Sequence, residues 1–185
     1  MTRKKASARL SRNGNRFGGG NRGKDVNHDD YDDKYIIEVL RDAKTVAMVG
    51  ASANWNRPSF FAMKYMQQKG FRVIPVNPGV AGKEILGEMT VASLDEIEDP
   101  IDMVDIFRNS EAAGQITDDA IKAGAKIVWM QLGVRNDEAA KRAEDAGLRV
   151  VMNRCPKIEY ARLYGELSWH GINSHVITSK RRKQA

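Results

Sequence analysis

Cysteine is almost absent: Cys155 is the only one in 185 residues. An internal disulfide is therefore excluded, and the usage fits the reducing cytoplasm, where the protein is expected to reside. No apolar run approaches the roughly 20 residues of a membrane helix. The basic N-terminal stretch has no apolar core of the kind a signal peptide carries, so export is not expected. Histidine is scarce too. His28, His170 and His175 are the only ones, and none follows a predicted strand. With no metal-ligand cluster, paired carboxylates or serine elbow, the sequence offers no familiar hydrolytic or metal centre.

Basic and acidic residues are unevenly spread. Residues 1–24 hold eight Lys/Arg and no acid, and residues 25–34 hold five Asp and one Lys. Residues 35–179 come to a net charge of only −2, and Lys180-Arg181-Arg182-Lys183 adds +4, within a total of +6. The basicity thus belongs to the two ends. Residues 1–33 have few large apolar residues to offset the entropy of ordering, so they read as a disordered Arg/Gly-rich and then acidic extension. Arg16-Phe17-Gly18-Gly19-Gly20-Asn21-Arg22-Gly23 is of the RGG type that coats RNA, which leaves open nucleic-acid binding through residues 3–24. A solvated, dispensable extension is the favoured reading, because one short tract is a weak signal.

The informative stretch is Thr45–Arg57. Thr45 to Val49 is an apolar run with β-branched residues, the composition of a strand buried on both faces. Gly50 breaks it, and Pro58-Ser59 opens a segment of helical periodicity that ends at Gly70. Strand, small-residue turn and helix bring free N–H groups and the positive end of a helix dipole together, where an anion fits. The same turn also occurs without a ligand in α/β folds, with the glycine merely ending the strand. The dinucleotide fingerprint is missing: with Gly50 as its first glycine, Ser52 and Trp55 stand at the other two places. The second strand ends Val76-Asn77-Pro78, without an acid for a ribose diol. NAD chemistry is disfavoured, and no Gly-Lys-Ser/Thr marks a Walker loop.

Further on, the pattern alternates. Strands are expected at 45–49, 72–76, 89–91, 102–107, 126–130 and 148–152. Helices are expected at 33–41, 59–69, from Ser110, read as its cap, to 123, from 136 or 137 to 146, and at 157–164. This is an α/β chain, a Rossmann-like doubly wound parallel sheet of five to six strands with helices on both faces. The expected organisation is a disordered extension over 1–33, the domain over 34–170 and a basic tail over 171–185. Ligands of such sheets sit beyond the carboxyl ends of the strands, where strand order reverses.

Five motifs fall on that edge: Val49-Gly50-Ala51-Ser52 with Arg57-Pro58-Ser59; Val76-Asn77-Pro78; Val104-Asp105-Ile106-Phe107-Arg108; Trp129-Met130-Gln131-Leu132-Gly133-Val134; and Asn153-Arg154-Cys155-Pro156-Lys157-Ile158-Glu159-Tyr160. From about Tyr31 to about Trp169 they resemble the small stand-alone CoA-binding proteins, the YccU-like group. That group is in turn similar to the CoA-binding domain of the succinyl-CoA synthetase alpha subunit.

The resemblance implies coenzyme A, or acyl-CoA, as the bound ligand. Gly50, Ala51 and Ser52 would hold phosphate, with Arg57 as its cationic partner. Asn77 and Pro78 would flank the nucleotide, Lys83 would add a charge, and Phe107 and Arg108 would line the groove. Gln131, Leu132 and Gly133 would face the pantetheine arm, and Asn153 and Cys155 its thiol end. Phe107 reads equally as core, whereas a solvated loop charge is the favoured reading of Lys83 and a small side chain packed behind Pro156 that of Cys155. The synthetase's phosphohistidine domain and partner subunit have no counterpart here, so ligase activity is not expected. Three readings follow: a non-catalytic CoA-binding module, a redox-active protein that forms a mixed disulfide with CoA through Cys155, and a nucleic-acid-associated protein working through its basic arms. For the second, Arg154 and Lys157 are expected to favour the thiolate.

Overall fold

In the computed structural model, residues 26–165 are described. Five parallel strands form the main sheet: β1 (Thr45–Val49), β2 (Arg72–Val76), β5 (Met103–Ile106), β6 (Ile127–Met130) and β7 (Arg149–Val151). Their order across the sheet is β2-β1-β5-β6-β7. The chain steps outward from β1 to β2 and then returns across β1 to place β5 on its other side. Strand order therefore reverses between β1 and β5.

Each strand alternates between two cores, as period-two side chains require. Met48, Met103, Trp129 and Val151 pack on one face with Ile36, Val39 and Leu40 of α1 (Asp33–Asp42) and Ala62, Met63 and Met66 of α2 (Pro58–Gln68). Helix α5 (Pro156–Leu163) joins this layer through Tyr160 and Leu163. Ala47, Val104, Val128 and Val150 pack on the other with Ala113 and Ala120 of α3 (Ser110–Lys122) and Ala139, Ala140 and Ala143 of α4 (Asp137–Asp145). Alanine dominates the buried faces of these two helices. The fold is thus the expected Rossmann-like α/β arrangement, with five parallel strands and helices on both faces.

The sixth expected strand takes another form. Glu84–Ile85 (β3) and Glu88–Met89 (β4) make a separate antiparallel hairpin, whose turn places Leu86 at φ 52° and Gly87 at φ 86°. Two successive positive φ values are the requirement of the tightest hairpin turn. Val91 then forms a single bridge to Val76 at the sheet edge. Pro75 sits in β2, an edge strand, as a residue without an N–H must.

Two expectations are corrected. Residues 26–33 were assigned to a disordered extension, yet Tyr31 is buried and its hydroxyl accepts from Met152 N at 2.7 Å. Val26 packs against the same core, and His28 lies between the Tyr31 hydroxyl (2.8 Å) and Glu144 (3.2 Å). One buried tyrosine with a buried partner is enough to anchor a short polar segment. Helix α3 is capped not by Ser110 but by Asn109, whose side chain accepts from Ala112 N at 3.0 Å. The Ser110 hydroxyl instead accepts from Arg135 N. The basic stretch 1–24, its RGG-type tract, the tail 171–185, His170 and His175 lie outside the described residues.

Candidate functional site

The reversal between β1 and β5 leaves a cavity of about 560 Å³ at the carboxyl edge of the sheet. That is within the size range of small-ligand sites. Gly50, Ala51, Ser52, Arg57, Asn77, Phe107 and Arg108 line it, joined by Pro58, Ser59 and Asn109.

Its floor depends on Gly50. This residue has φ +90°, and a Cβ built there would stand 2.5 Å from the Phe107 carbonyl oxygen. Only glycine allows the two loops to run this close. Phe107 N donates to Val49 O at 2.8 Å, and Gly50 N donates to Val76 O at 2.9 Å, so the first turn is tied to both neighbouring strands. The Asn77 amide donates to Ala51 O at 2.7 Å while its oxygen accepts from Gly79 N. Asn77 therefore fixes the shape of the first turn from the second strand.

The loop from Ser52 to Arg57 is held by its own polar side chains. Ser52 Oγ accepts from Asn54 N, and Asn54 Oδ1 accepts from Asn56 N, both at 3.2 Å. The chain then enters α2 through Arg57 in extended conformation with Pro58 next. Helices α1, α3 and α4 each begin under a side-chain cap, from Asp32, Asn109 and Asn136. Helix α2 has none. Pro58 has no N–H and Phe60 N and Phe61 N both donate to Arg57 O, so the Ser59 N–H is the first-turn donor left at the positive end of the helix.

The arginines divide cleanly. Among the described residues Arg41, Arg72, Arg135, Arg142, Arg149, Arg154 and Arg162 each pair with an Asp or Glu. Arg57 and Arg108 pair with none, and both line the cavity. Two unpaired guanidinium groups, a helix N-terminus without a side-chain cap and a glycine floor thus meet at one cavity, and groups of this kind can hold an anion.

The remaining sequence candidates lie apart from this cavity. Pro78 begins a short 3₁₀ turn capped by the Asn77 side chain. Lys83 is exposed, and its backbone pairs with Val80 and Thr90 to start the hairpin. Gln131, Leu132, Gly133, Asn153 and Cys155 occupy the ends of β6 and β7. There Asn153 Oδ1 accepts from Gly133 N at 2.8 Å, joining the two turns. Gln131 is buried and donates to Asp105 Oδ1 at 2.8 Å. Cys155 starts α5, a second helix without a side-chain cap.

The thiolate expectation for Cys155 is corrected. Burial pushes its thiol above the ordinary value, and the Asp105 charge adds to this. The N–H groups of Ile158 and Lys157 and the Lys157 charge pull the other way without prevailing. Adjacent positive residues in sequence did not reveal the buried carboxylate across the sheet.

Sequence reasoning missed Asn109, which lines the cavity as well as capping α3. The available signal was an Asn at the start of a helical pattern, with Ser110 beside it competing for the same role.

The CoA binding domain family matches residues 44–161. This chain belongs to that family. The uncharacterised protein YneT of Bacillus subtilis (strain 168) is 38% identical over 126 residues, 68% of this chain and 92% of that one. A hypothetical protein from Pyrococcus horikoshii OT3 superimposes with a TM-score of 0.71 at 39% identity, covering 77% of this chain and 99% of that one. A Thermus thermophilus protein gives 0.68 at 36% identity, covering 71% and 98%. These relatives are similar over nearly their whole length, which makes the family a stand-alone domain. Among the described residues, no helix of this chain is long and apolar enough to cross a membrane.

Proposed function

We propose that this chain binds coenzyme A or acyl-CoA reversibly, as a binding module rather than an enzyme, with the phosphates seated at the β1–α2 turn. The observation that carries the reading is the pair Arg57 and Arg108. They are the two described arginines without an acidic partner, and they face the same cavity. A ligand bearing several phosphate charges satisfies both, together with the first turn of α2. Gly50, Ala51 and Ser52 contribute backbone at the phosphates, while Asn77 acts through Ala51 by fixing its carbonyl. Phe107 supplies an apolar wall. Gln131, Leu132, Gly133, Asn153 and Cys155 lie further along the same strand edge, in the direction the pantetheine arm takes. Pro78 and Lys83 sit outside the cavity lining, and we assign them no contact.

Titration with CoA and with dephospho-CoA tests this. Arg57→Ala and Arg108→Ala should each weaken CoA binding, and the variant that no longer distinguishes the two ligands marks the arginine serving the 3′-phosphate. CoA affinity unchanged in both variants would overturn the assignment.

A further inference from the structure

Two side-chain amides stand beside the cavity, at the ends of β6 and β7. The backbone N–H of Gln131 donates to Ile106 O at 3.4 Å, one residue before Phe107 of the cavity wall. Its side chain is buried, and Nε2 donates to Asp105 Oδ1 at 2.8 Å. Asp105 is itself completely buried, on the middle strand of the sheet. This is the one hydrogen bond its side chain makes among the described residues. An ionised carboxylate only accepts, so it takes the NH2 end of the Gln131 amide and turns the carbonyl end away. No described residue donates to that Oε1, and it is not sealed in the interior.

Asn153 is held the other way round. At φ 53°, a conformation asparagine tolerates better than most residues, its Oδ1 accepts from Gly133 N at 2.8 Å. Its backbone N–H donates to Val134 O at 3.1 Å, so backbone and side chain are both tied to the turn after β6. The residue is exposed, and the NH2 end of its amide is the end left without a partner among the described residues. Adjacent strands lie about 4.8 Å apart. One acceptor and one donor, each with its direction fixed by a second group, are thus set side by side next to the cavity.

We infer that Asp105 is a positioning residue for the arm of the ligand: by turning Gln131 it makes this edge, together with Asn153, select a ligand that carries an amide. The ligand N–H donates to Gln131 Oε1, and the ligand carbonyl accepts from Asn153 Nδ2. The inference rests on the function proposed above, since the pantetheine arm of CoA carries amides of this kind. It also accounts for a carboxyl in the core, where an apolar side chain would cost less. Asp105 touches no ligand itself. Its part is to deny Gln131 the opposite orientation, in which two donors would face the arm.

The test titrates the whole protein with CoA and with adenosine 3′,5′-bisphosphate, which lacks the arm. It is run near pH 8, above the value of about 7 to which burial raises the Asp105 carboxyl. Asp105→Leu leaves Gln131 unheld and should weaken CoA binding roughly five- to tenfold while the bisphosphate binds as before. Asp105→Asn can donate as well as accept, so its CoA affinity should fall between those of Asp105→Leu and the wild type. Asn153→Gly keeps the positive φ, removes the donor and should show the same split between the two ligands. Melting curves identify any variant that does not fold. If Asp105→Leu is one, Gln131→Met, which lacks the outward oxygen, should show the split in its place. Equal losses for the two ligands would mean a merely structural role and overturn the inference. So would CoA affinity unchanged in the variants, which leaves the function above intact. A wild type that binds neither ligand overturns that function and this inference with it.

Discussion

The carbonyl oxygen of Phe107 occupies the space where any other residue at position 50 would carry its Cβ, 2.5 Å from where that atom would be built on Gly50. The contact spans the point where strand order reverses, and it brings the β1–α2 and β5–α3 loops together around one cavity. Because Gly50 is also at φ +90°, Gly50→Ala is penalised twice, by the left-handed conformation and by collision with backbone that cannot swing aside. A loss of about 1–3 kcal/mol of stability is expected. Thermal unfolding with and without CoA checks it. The variant should also bind CoA more weakly, since relief of the clash must separate the two loops.

Asp105→Asn should make the protein more stable at pH 8. The folded-state carboxyl is raised to about 7 by burial, so the native state holds more protons than the unfolded chain between about pH 4 and 7. Stability is then lost as pH rises through that window and stays low above it. A neutral amide escapes the loss and retains a group opposite Gln131. Melting temperatures of the two proteins should lie close together near pH 4 and diverge by pH 8, the difference corresponding to about 1–4 kcal/mol. A wild type as stable at pH 8 as at pH 4, relative to the variant, would contradict the assignment.

Asp102 should behave in the opposite sense. It lies at the amino edge of the sheet, where it accepts from Lys44 N and Thr45 N at 3.0 Å each and from Lys126 Nζ at 2.6 Å. Partial burial alone would raise its carboxyl, but the Lys126, Thr45 and Lys44 hydrogen bonds outweigh this and hold it below the usual range. The stability it contributes is present above the unfolded value, near 4, and is lost as pH falls through the lower folded value. Asp102→Ala should cost about 1–3 kcal/mol at pH 7 and much less in acid. Denaturant midpoints at the two pH values give the comparison. Being at the far edge from the cavity, the substitution should leave CoA affinity unchanged.

The fold was legible because its signals are local. Apolar β-branched runs between glycines and helix caps gave five parallel strands nearly to the residue, and the turn between β1 and α2 followed from Gly50 and Pro58. What escaped depends on groups distant in sequence. Asn109 displaced Ser110 as a cap once Arg135 N engaged the serine hydroxyl. Tyr31 became ordered through Met152, 121 residues away. Lys83 and Pro78 are near the site along the chain, but the hairpin and the 3₁₀ turn carry them off the cavity wall. The Cys155 thiol was misread because its neighbours in sequence are basic, whereas burial, which they do not reveal, raises it, and the Asp105 charge adds to this.

The cavity between Gly50 and Arg108 should take CoA and discriminate against NAD. Isothermal titration of the whole protein with each ligand tests it most directly, with Arg57→Ala as the control. Saturable one-to-one binding of CoA, far weaker binding of NAD and a loss of about 1–3 kcal/mol in the variant are the predicted results. Equal affinity for CoA and NAD, or CoA binding indifferent to Arg57, would contradict it.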